Sequence, residues 1–280
     1  MSVGTEIWLF SASVIASALG GMLGMASGIF IVPILTMLCH VDLSNAIGAS
    51  IVSVIACSCG SAAAFLKERL TNVRLAIVLE TATTAGALTG VLLAGRIPKP
   101  CLFFMFGTIL LLSAWQMIAR RNDPMSFRTQ SADDVSRVRE LDSSYPDRDL
   151  GLDIAYRVER VPVGLILMYV AGLISALLGI GSGVLKVPAM DTALRLPIKV
   201  SSATSNFMIC VTAAASAGAY FVRGEIVASI TGPVALGSVI GAILGARLLV
   251  SISNQRIRVL FAAVLVVVAA QMLFAGFGKG

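Results

Sequence analysis

Apolar residues run in long blocks along this chain, at roughly 7–39, 44–66, 74–95, 101–119, 162–190, 201–222, 226–249 and 257–276. Charged or proline-containing stretches separate them at Lys67-Glu68-Arg69, Arg96-Ile97-Pro98-Lys99-Pro100, Arg195 to Lys199, Arg223-Gly224-Glu225 and Asn254 to Arg258. A run of about 18 or more apolar residues is long enough to cross a bilayer, because about 20 residues rising 1.5 Å each span a hydrocarbon core of about 30 Å. These blocks predict transmembrane helices, which satisfy their own backbone hydrogen bonds where no water is present. Residues 121–160 show no apolar periodicity. They predict a hydrophilic connection, partly disordered or carrying a short amphipathic helix.

The blocks repeat. Leu23-Gly24-Met25-Ala26-Ser27-Gly28-Ile29-Phe30-Ile31-Val32-Pro33 aligns with Leu178-Gly179-Ile180-Gly181-Ser182-Gly183-Val184-Leu185-Lys186-Val187-Pro188, with six of eleven positions identical. Ala46 to Ser50 aligns with Ser201 to Ser205, Gly86-x3-Gly90 with Gly237-x3-Gly241, and Gln116-Met117 with Gln271-Met272. Four matches in one order predict two related membrane halves, 1–120 and 161–280, joined by a cytoplasmic connection at 121–160. The first block of each half is too long for one span, since residues 7–39 would make a helix of roughly 50 Å. Its glycines and proline remove helix propensity and free backbone amides. Each such block therefore predicts a helix–break–helix hairpin. With three further spans per half, the second half is inverted relative to the first.

Loop charge agrees with that topology. The loop at 67–74 holds three basic residues and the long connection eight when Arg120 is included, whereas 96–100 holds two and 40–45 none. The positive-inside rule places the first two in the cytoplasm. The fold class expected is an all-α polytopic membrane protein.

Composition narrows the function. Of 280 residues, 57% are hydrophobic and 13% charged, against about 25% charged in a soluble domain. Of the 36 charged residues, 16 lie between Arg121 and Arg160, and that window is itself acidic. The net charge of +6 thus sits in short loops, which excludes a nucleic-acid partner and leaves the lipid bilayer as the surroundings. A positive leader region and a cleavage site are both missing from the first block, so that block is expected to be retained. Cys39, Cys57, Cys59, Cys101 and Cys210 lack metal-ligand spacing and are expected to be buried reduced thiols. No phosphate-binding Gly-x4-Gly-Lys-Ser/Thr loop and no zinc motif occur, so neither cofactor nor metal is expected. His40 reads as an interfacial residue.

Paired broken helices in related halves mark secondary transporters, with the binding site where the breaks meet. Helix N-termini attract anions, so two Gly/Ser breaks would cradle a small anionic substrate on Ser27, Gly28, Ser182 and Gly183. The same glycines would also serve close helix packing. Lys186 replaces Ile31 of the first copy, deep in an apolar run where a charge costs about 2.5–3.5 kcal/mol. It reads as a counter-charge or as a residue snorkelling to the interface. Glu80 is the other intramembrane charge; it carries a proton, pairs with a basic residue, or lies near the cytoplasmic end of its span. Ser50, Ser205 and Asn206 supply polar lining or helix–helix hydrogen bonds. The glycine pairs read as close contacts within a half or across a homodimer.

The two clusters, Gly24-Met25-Ala26-Ser27-Gly28 and Gly179-Ile180-Gly181-Ser182-Gly183, each leading to Val-Pro, resemble those of the TauE/SafE family of sulfite and organosulfur-anion exporters. The resemblance covers both membrane halves but not 121–160. Ala26 and Ser27 stand where that family commonly has glycine. It implies export of sulfite, a sulfonate or a related compound across a bacterial inner membrane by a protein that is not an enzyme. An anion channel, a sulfur-transfer protein using Cys57 or Cys59, and a scaffold recruiting a partner through 121–160 are the alternatives.

Overall fold

A computed structural model describes residues 3–25, 27–39, 41–93, 99–119, 141–147, 152–178, 183–222, 224 and 226–277. Ten α-helices follow one another among these residues: α1 (Val3–Leu23), α2 (Gly28–Pro33) continued by a π-helical turn (Ile34–Leu38), α3 (Leu43–Lys67), α4 (Val73–Leu93), α5 (Lys99–Ala119), α6 (Val161–Leu178), α7 (Gly183–Ala193), α8 (Ile198–Val222), α9 (Ala228–Ser251) and α10 (Asn254–Phe277). Four of the described helices are long and apolar enough to cross a membrane by length and composition: Glu6–Leu23, Asn45–Lys67, Ala228–Ser251 and Asn254–Gln271. Large exposed apolar side chains such as Trp115, Phe221, Leu92 and Phe274 cover the outside, where a soluble protein would place charge. The chain is an all-α polytopic membrane protein.

The internal repeat carries through to the helices. α3 and α8 begin at 43 and 198 and end at 67 and 222, a shift of 155 positions at each end, and α2, α4 and α5 start the same distance before α7, α9 and α10. Packing follows the same exchange. α1 packs chiefly on α9 and α4 on α6, while α3 meets α8 and α5 meets α10. The halves therefore interleave, each supplying a partner for the other's first helix.

This register corrects one alignment. Gly86 and Gly90 correspond to Gly241 and Gly245, not to Gly237 and Gly241. A Cβ at Gly86 would strike the Tyr169 carbonyl of α6, and one at Gly241 the Val14 carbonyl of α1. Val14 and Tyr169 are again 155 positions apart, so both contacts are one contact made twice.

Two further expectations change. The connection contains no helix among its described residues; it forms an antiparallel hairpin of β1 (Ser143–Asp147) and β2 (Leu152–Tyr156), pairing Ser143 with Tyr156 and Asp147 with Leu152. Tyr145 is fully buried in the same apolar cluster as Phe65, Leu70, Ile198 and Val250. The Asn72 side-chain amide donates to the Leu141 carbonyl (2.9 Å) and to the Tyr156 hydroxyl (3.2 Å). Burial pushes the Tyr156 phenol above its ordinary range. The hairpin thus docks on the loop between α3 and α4, against the start of α8. One buried aromatic and a hydrogen-bonded latch suffice, and neither requires a periodic apolar stretch.

Cys59 and Cys210 are not free thiols. They form a disulfide between α3 and α8, Cα atoms 5.4 Å apart, a separation such bonds require; Cys39 and Cys57 remain free. The bond ties one half to the other. If the connection is cut by a protease at a site engineered within 121–140, the halves should migrate as one band on a denaturing gel without reductant and separate with it. Separation without reductant would show that the bond does not form in the cell.

Candidate functional site

The first break begins where α1 ends. Gly24 adopts a left-handed conformation (φ 75°), and the Met25 amide returns to the Gly20 carbonyl at 3.0 Å. That is the glycine-terminated helix end in which the next residue's N–H closes on a carbonyl five positions back. It leaves carbonyls of the last turn without helical partners, which a bilayer interior does not supply. α8 supplies them. The Asn206 amide donates to the Gly21 carbonyl (2.6 Å), the Ser205 hydroxyl to Gly24 (2.7 Å) and the Ser202 hydroxyl to Leu23 (3.3 Å). Ser205 and Asn206 are accordingly committed as donors to the broken end of α1. The first half's break is held by the second half's helix.

The second break, 179–182 with Ser182, lies outside the described residues, as do Ala26 and His40. Its exit is described. α7 starts at Gly183, and all of its residues except Thr192 are buried. A Cβ at Gly183 would lie 3.0 Å from the Met25 backbone, and one at Gly24 3.0 Å from Val187. The start of the first break therefore touches the N-terminal part of α7.

One turn further on, Lys186 is fully buried and its Nζ lies 3.0 Å from Glu80 Oε2 of α4. It does not snorkel, and the two charges expected within the membrane are partners. Glu80 Oε1 is buried and has no hydrogen-bond partner among the described residues. In the repeat register Lys186 corresponds to Ile31 and Glu80 to Ala235. Ile31 is buried in an apolar cluster with Ile230 and Val234. The pair joins the two halves, and the symmetry-related place, between Ile31 of the first half and Ala235 of the second, is hydrocarbon.

On the first half's side the interior is lined by hydroxyls. Ser27 Oγ lies 2.6 Å from Ser53 Oγ, and Ser53 Oγ 2.6 Å from Ser238 Oγ, which donates to the Val234 carbonyl at 2.7 Å. Ser50 reaches the Gly28 carbonyl at 3.5 Å. A Cβ at Gly28 would meet Ser50 Oγ at 3.0 Å and Val54 at 2.8 Å, so the break and α3 are in contact. The Cys57 thiol donates to the Ser17 carbonyl at 3.4 Å and sits among the hydroxyls of Ser17, Ser27 and Ser61. Ser17, Ser53, Ser61 and Ser238 were not among the expected site residues, and Cys57 entered only as the thiol of the sulfur-transfer alternative. Their signal was present: Ser50, Ser53, Cys57 and Ser61 recur at spacings of three and four, one face of a helix.

Other charges lie apart. Arg258 of α10 binds Asp191 of α7 at 2.7 Å, and Lys199 donates to the Val250 carbonyl at 3.2 Å. Among the described residues no three His, Cys, Asp or Glu side chains group as a metal site would need. Among the described residues the lysines Lys186 and Lys199 are both buried, the first held by a carboxylate and the second by a backbone carbonyl.

Comparison with known proteins points to a membrane transporter. A family model described as "Sulfite exporter TauE/SafE" matches residues 9–272. The chain is 24% identical over 270 residues to "Probable membrane transporter protein YunE" of Bacillus subtilis (strain 168), covering 94% of this chain and 95% of that protein. It is 23% identical over 227 residues to "Probable membrane transporter protein YdhB" of the same organism, covering 81% and 83%. No solved structure matches.

Proposed function

The chain belongs to the TauE/SafE family, and from that premise we propose that it is a secondary transporter exporting a small sulfur-containing anion, sulfite or an organosulfonate, across a bacterial inner membrane. The observation that carries this reading is the fully buried Lys186, one turn from the contact between the first break and α7 and held by Glu80. Removing a lysine from water is costly unless it is paired, and an intramembrane ionisable group marks a site by default. An incoming anion would exchange places with the Glu80 carboxylate on Lys186. A proton taken up by Glu80 would leave Lys186 and the bound anion as the neutral pair, which couples the two fluxes.

In this mechanism the halves are inverted copies, and alternating access rocks one against the other around the breaks. Ser205 and Asn206 hold the first break rigid, while Ser27, Ser50 and Gly28 face the passing substrate beside α3. Gly183, and Ser182 beside it in the sequence, would supply the matching surface from the other half.

Counterflow of radiolabelled sulfite in proteoliposomes tests the proposal. Saturable accumulation against preloaded unlabelled sulfite is expected, with no steady current in its absence. A conductance that rises linearly with voltage and shows no counterflow would identify an anion channel. Absence of both with sulfite and with methanesulfonate would overturn the substrate class.

A further inference from the structure

The two helices that carry the charge pair are joined again on the side that loop charge assigns to the cytoplasm. Asn72 caps α4, its Oδ1 accepting the Leu75 amide at 3.1 Å and its carbonyl the Ala76 amide at 2.9 Å. The same side chain donates to Leu141 and Tyr156 of the connection, and its backbone amide donates to Thr204 Oγ1 of α8 at 3.2 Å. Beyond β2 the connection reaches the far end of α7. There the Glu159 amide donates to the Leu194 carbonyl at 3.3 Å, and the Glu159 carboxylate lies 3.3 Å from Arg195. Asp142 braces the flanks of the hairpin by accepting the Val158 amide at 2.8 Å. Val158 itself is buried in one apolar cluster with Leu75 and Leu79 of α4 and with Ala189 and Leu194 at α7.

From these contacts we propose that the β1–β2 hairpin is a strap across the cytoplasmic ends of α4 and α7, and that this side opens only when the strap leaves Asn72. Its purpose rests on the transporter reading above. Glu80 stands eight residues after Asn72, and Lys186 eight before Leu194. At 1.5 Å per residue each charge is about 12 Å from its strap contact, so parting the two anchors parts the pair. The repeat shows that the anchors belong to one side. Positions 72 and 204 correspond to Val227 and Ala49, and Val227 begins α9 without a side-chain cap. Neither side chain can hold a strap by a hydrogen bond. The latch is also weak enough to release. It consists of neutral hydrogen bonds, each of modest net worth, and of a half-exposed ion pair, Glu159–Arg195, that adds little. Local opening of such a segment needs no unfolding of the helices beneath it.

The test places Ala189→Cys as a reporter in the full-length protein in lipid nanodiscs. Ala189 lies in the cluster between the charge pair and the strap and is 8% exposed. Its thiol should therefore react slowly with N-ethylmaleimide, as read by mass spectrometry of that peptide. Adding Asn72→Ser together with Tyr156→Phe should speed the reaction about fivefold or more, because the bonds from the Asn72 amide to the hairpin are lost. Serine still caps α4, so the melting temperature should stay close to that of the reporter protein. Tyr156→Phe alone, which leaves Asn72 in place, should give a smaller rise in the same direction. Labelling unchanged in both variants, or faster only where the melting temperature collapses, would overturn the strap. Sulfite counterflow on the same proteins separates the two readings. Faster labelling in a protein without counterflow would keep the strap and remove the transporter; counterflow with labelling unmoved would remove the strap and keep the transporter.

Discussion

Lys186→Ile should abolish counterflow and destabilise the folded protein, whereas Lys186→Ile combined with Glu80→Ala should restore the fold and leave transport absent. The double variant gives this contact between the halves the residues its symmetry-related counterpart already contains, since the equivalent positions are Ile31 and Ala235. Ile31 is 2% exposed, in a cluster with Ile230 and Val234, so the scaffold accepts an apolar pair at this place. Breaking a buried pair by removing one partner costs about 3–5 kcal/mol, because the other charge is stranded. Replacing both with hydrocarbon is often neutral or stabilising. Lys186 is fully buried and Glu80 only 13% exposed, so this estimate applies with little screening. Melting temperature and counterflow, measured together on the three proteins, decide the matter. A double variant that still exchanges sulfite at the wild-type rate would make the pair structural; one that folds and does not exchange assigns it to transport.

What the linear chain reveals here, and what it hides, has a physical pattern. The repeat was legible because it is written in residues with strong local consequences: Gly24 must turn left-handed, Pro33 and Pro188 interrupt amide bonding, and the intervening helices then recur 155 positions later. Lys186 was legible as an anomaly, a charge in an apolar run. Its partner was not, because Glu80 lies 106 positions away and only the packing of α4 beside α6 and α7 brings them together. For Ser205 and Asn206 polar lining and helix–helix bonding stay open in the sequence, because nothing local says that α1 will end with open carbonyls facing α8. The hairpin at 143–156 escaped for a related reason. Tyr145 is buried by contact with Phe65, Leu70 and Ile198, residues of another segment, so its own neighbours in sequence remain polar.

Gly241→Leu should prevent assembly of the two halves, and Gly86→Leu should fail in the same way. In both helices the missing side chain is replaced by a backbone carbonyl of the neighbour, Val14 for Gly241 and Tyr169 for Gly86, and a Cβ at either position would overlap it. A carbonyl within a helix cannot rotate aside as a side chain can, so the helices themselves would have to part. Overpacking of a side-chain contact costs about 1–3 kcal/mol; here the whole α1–α9 seam, which includes the equally close contact of Gly245 with the Ala18 carbonyl, would open. Without a hydrophobic force between helices in lipid, this close approach is a principal source of their association. Gly232, in the same helix α9, is the control, since a Cβ there meets nothing within 4 Å. Gly232→Ala should raise stability by about 0.5–1 kcal/mol through reduced backbone entropy. Size-exclusion profiles and melting temperatures of detergent-solubilised variants give the comparison. A monodisperse Gly241→Leu protein with wild-type melting would mean that the halves meet by another surface, and the interleaved arrangement of α1 on α9 and α4 on α6 would have to be abandoned.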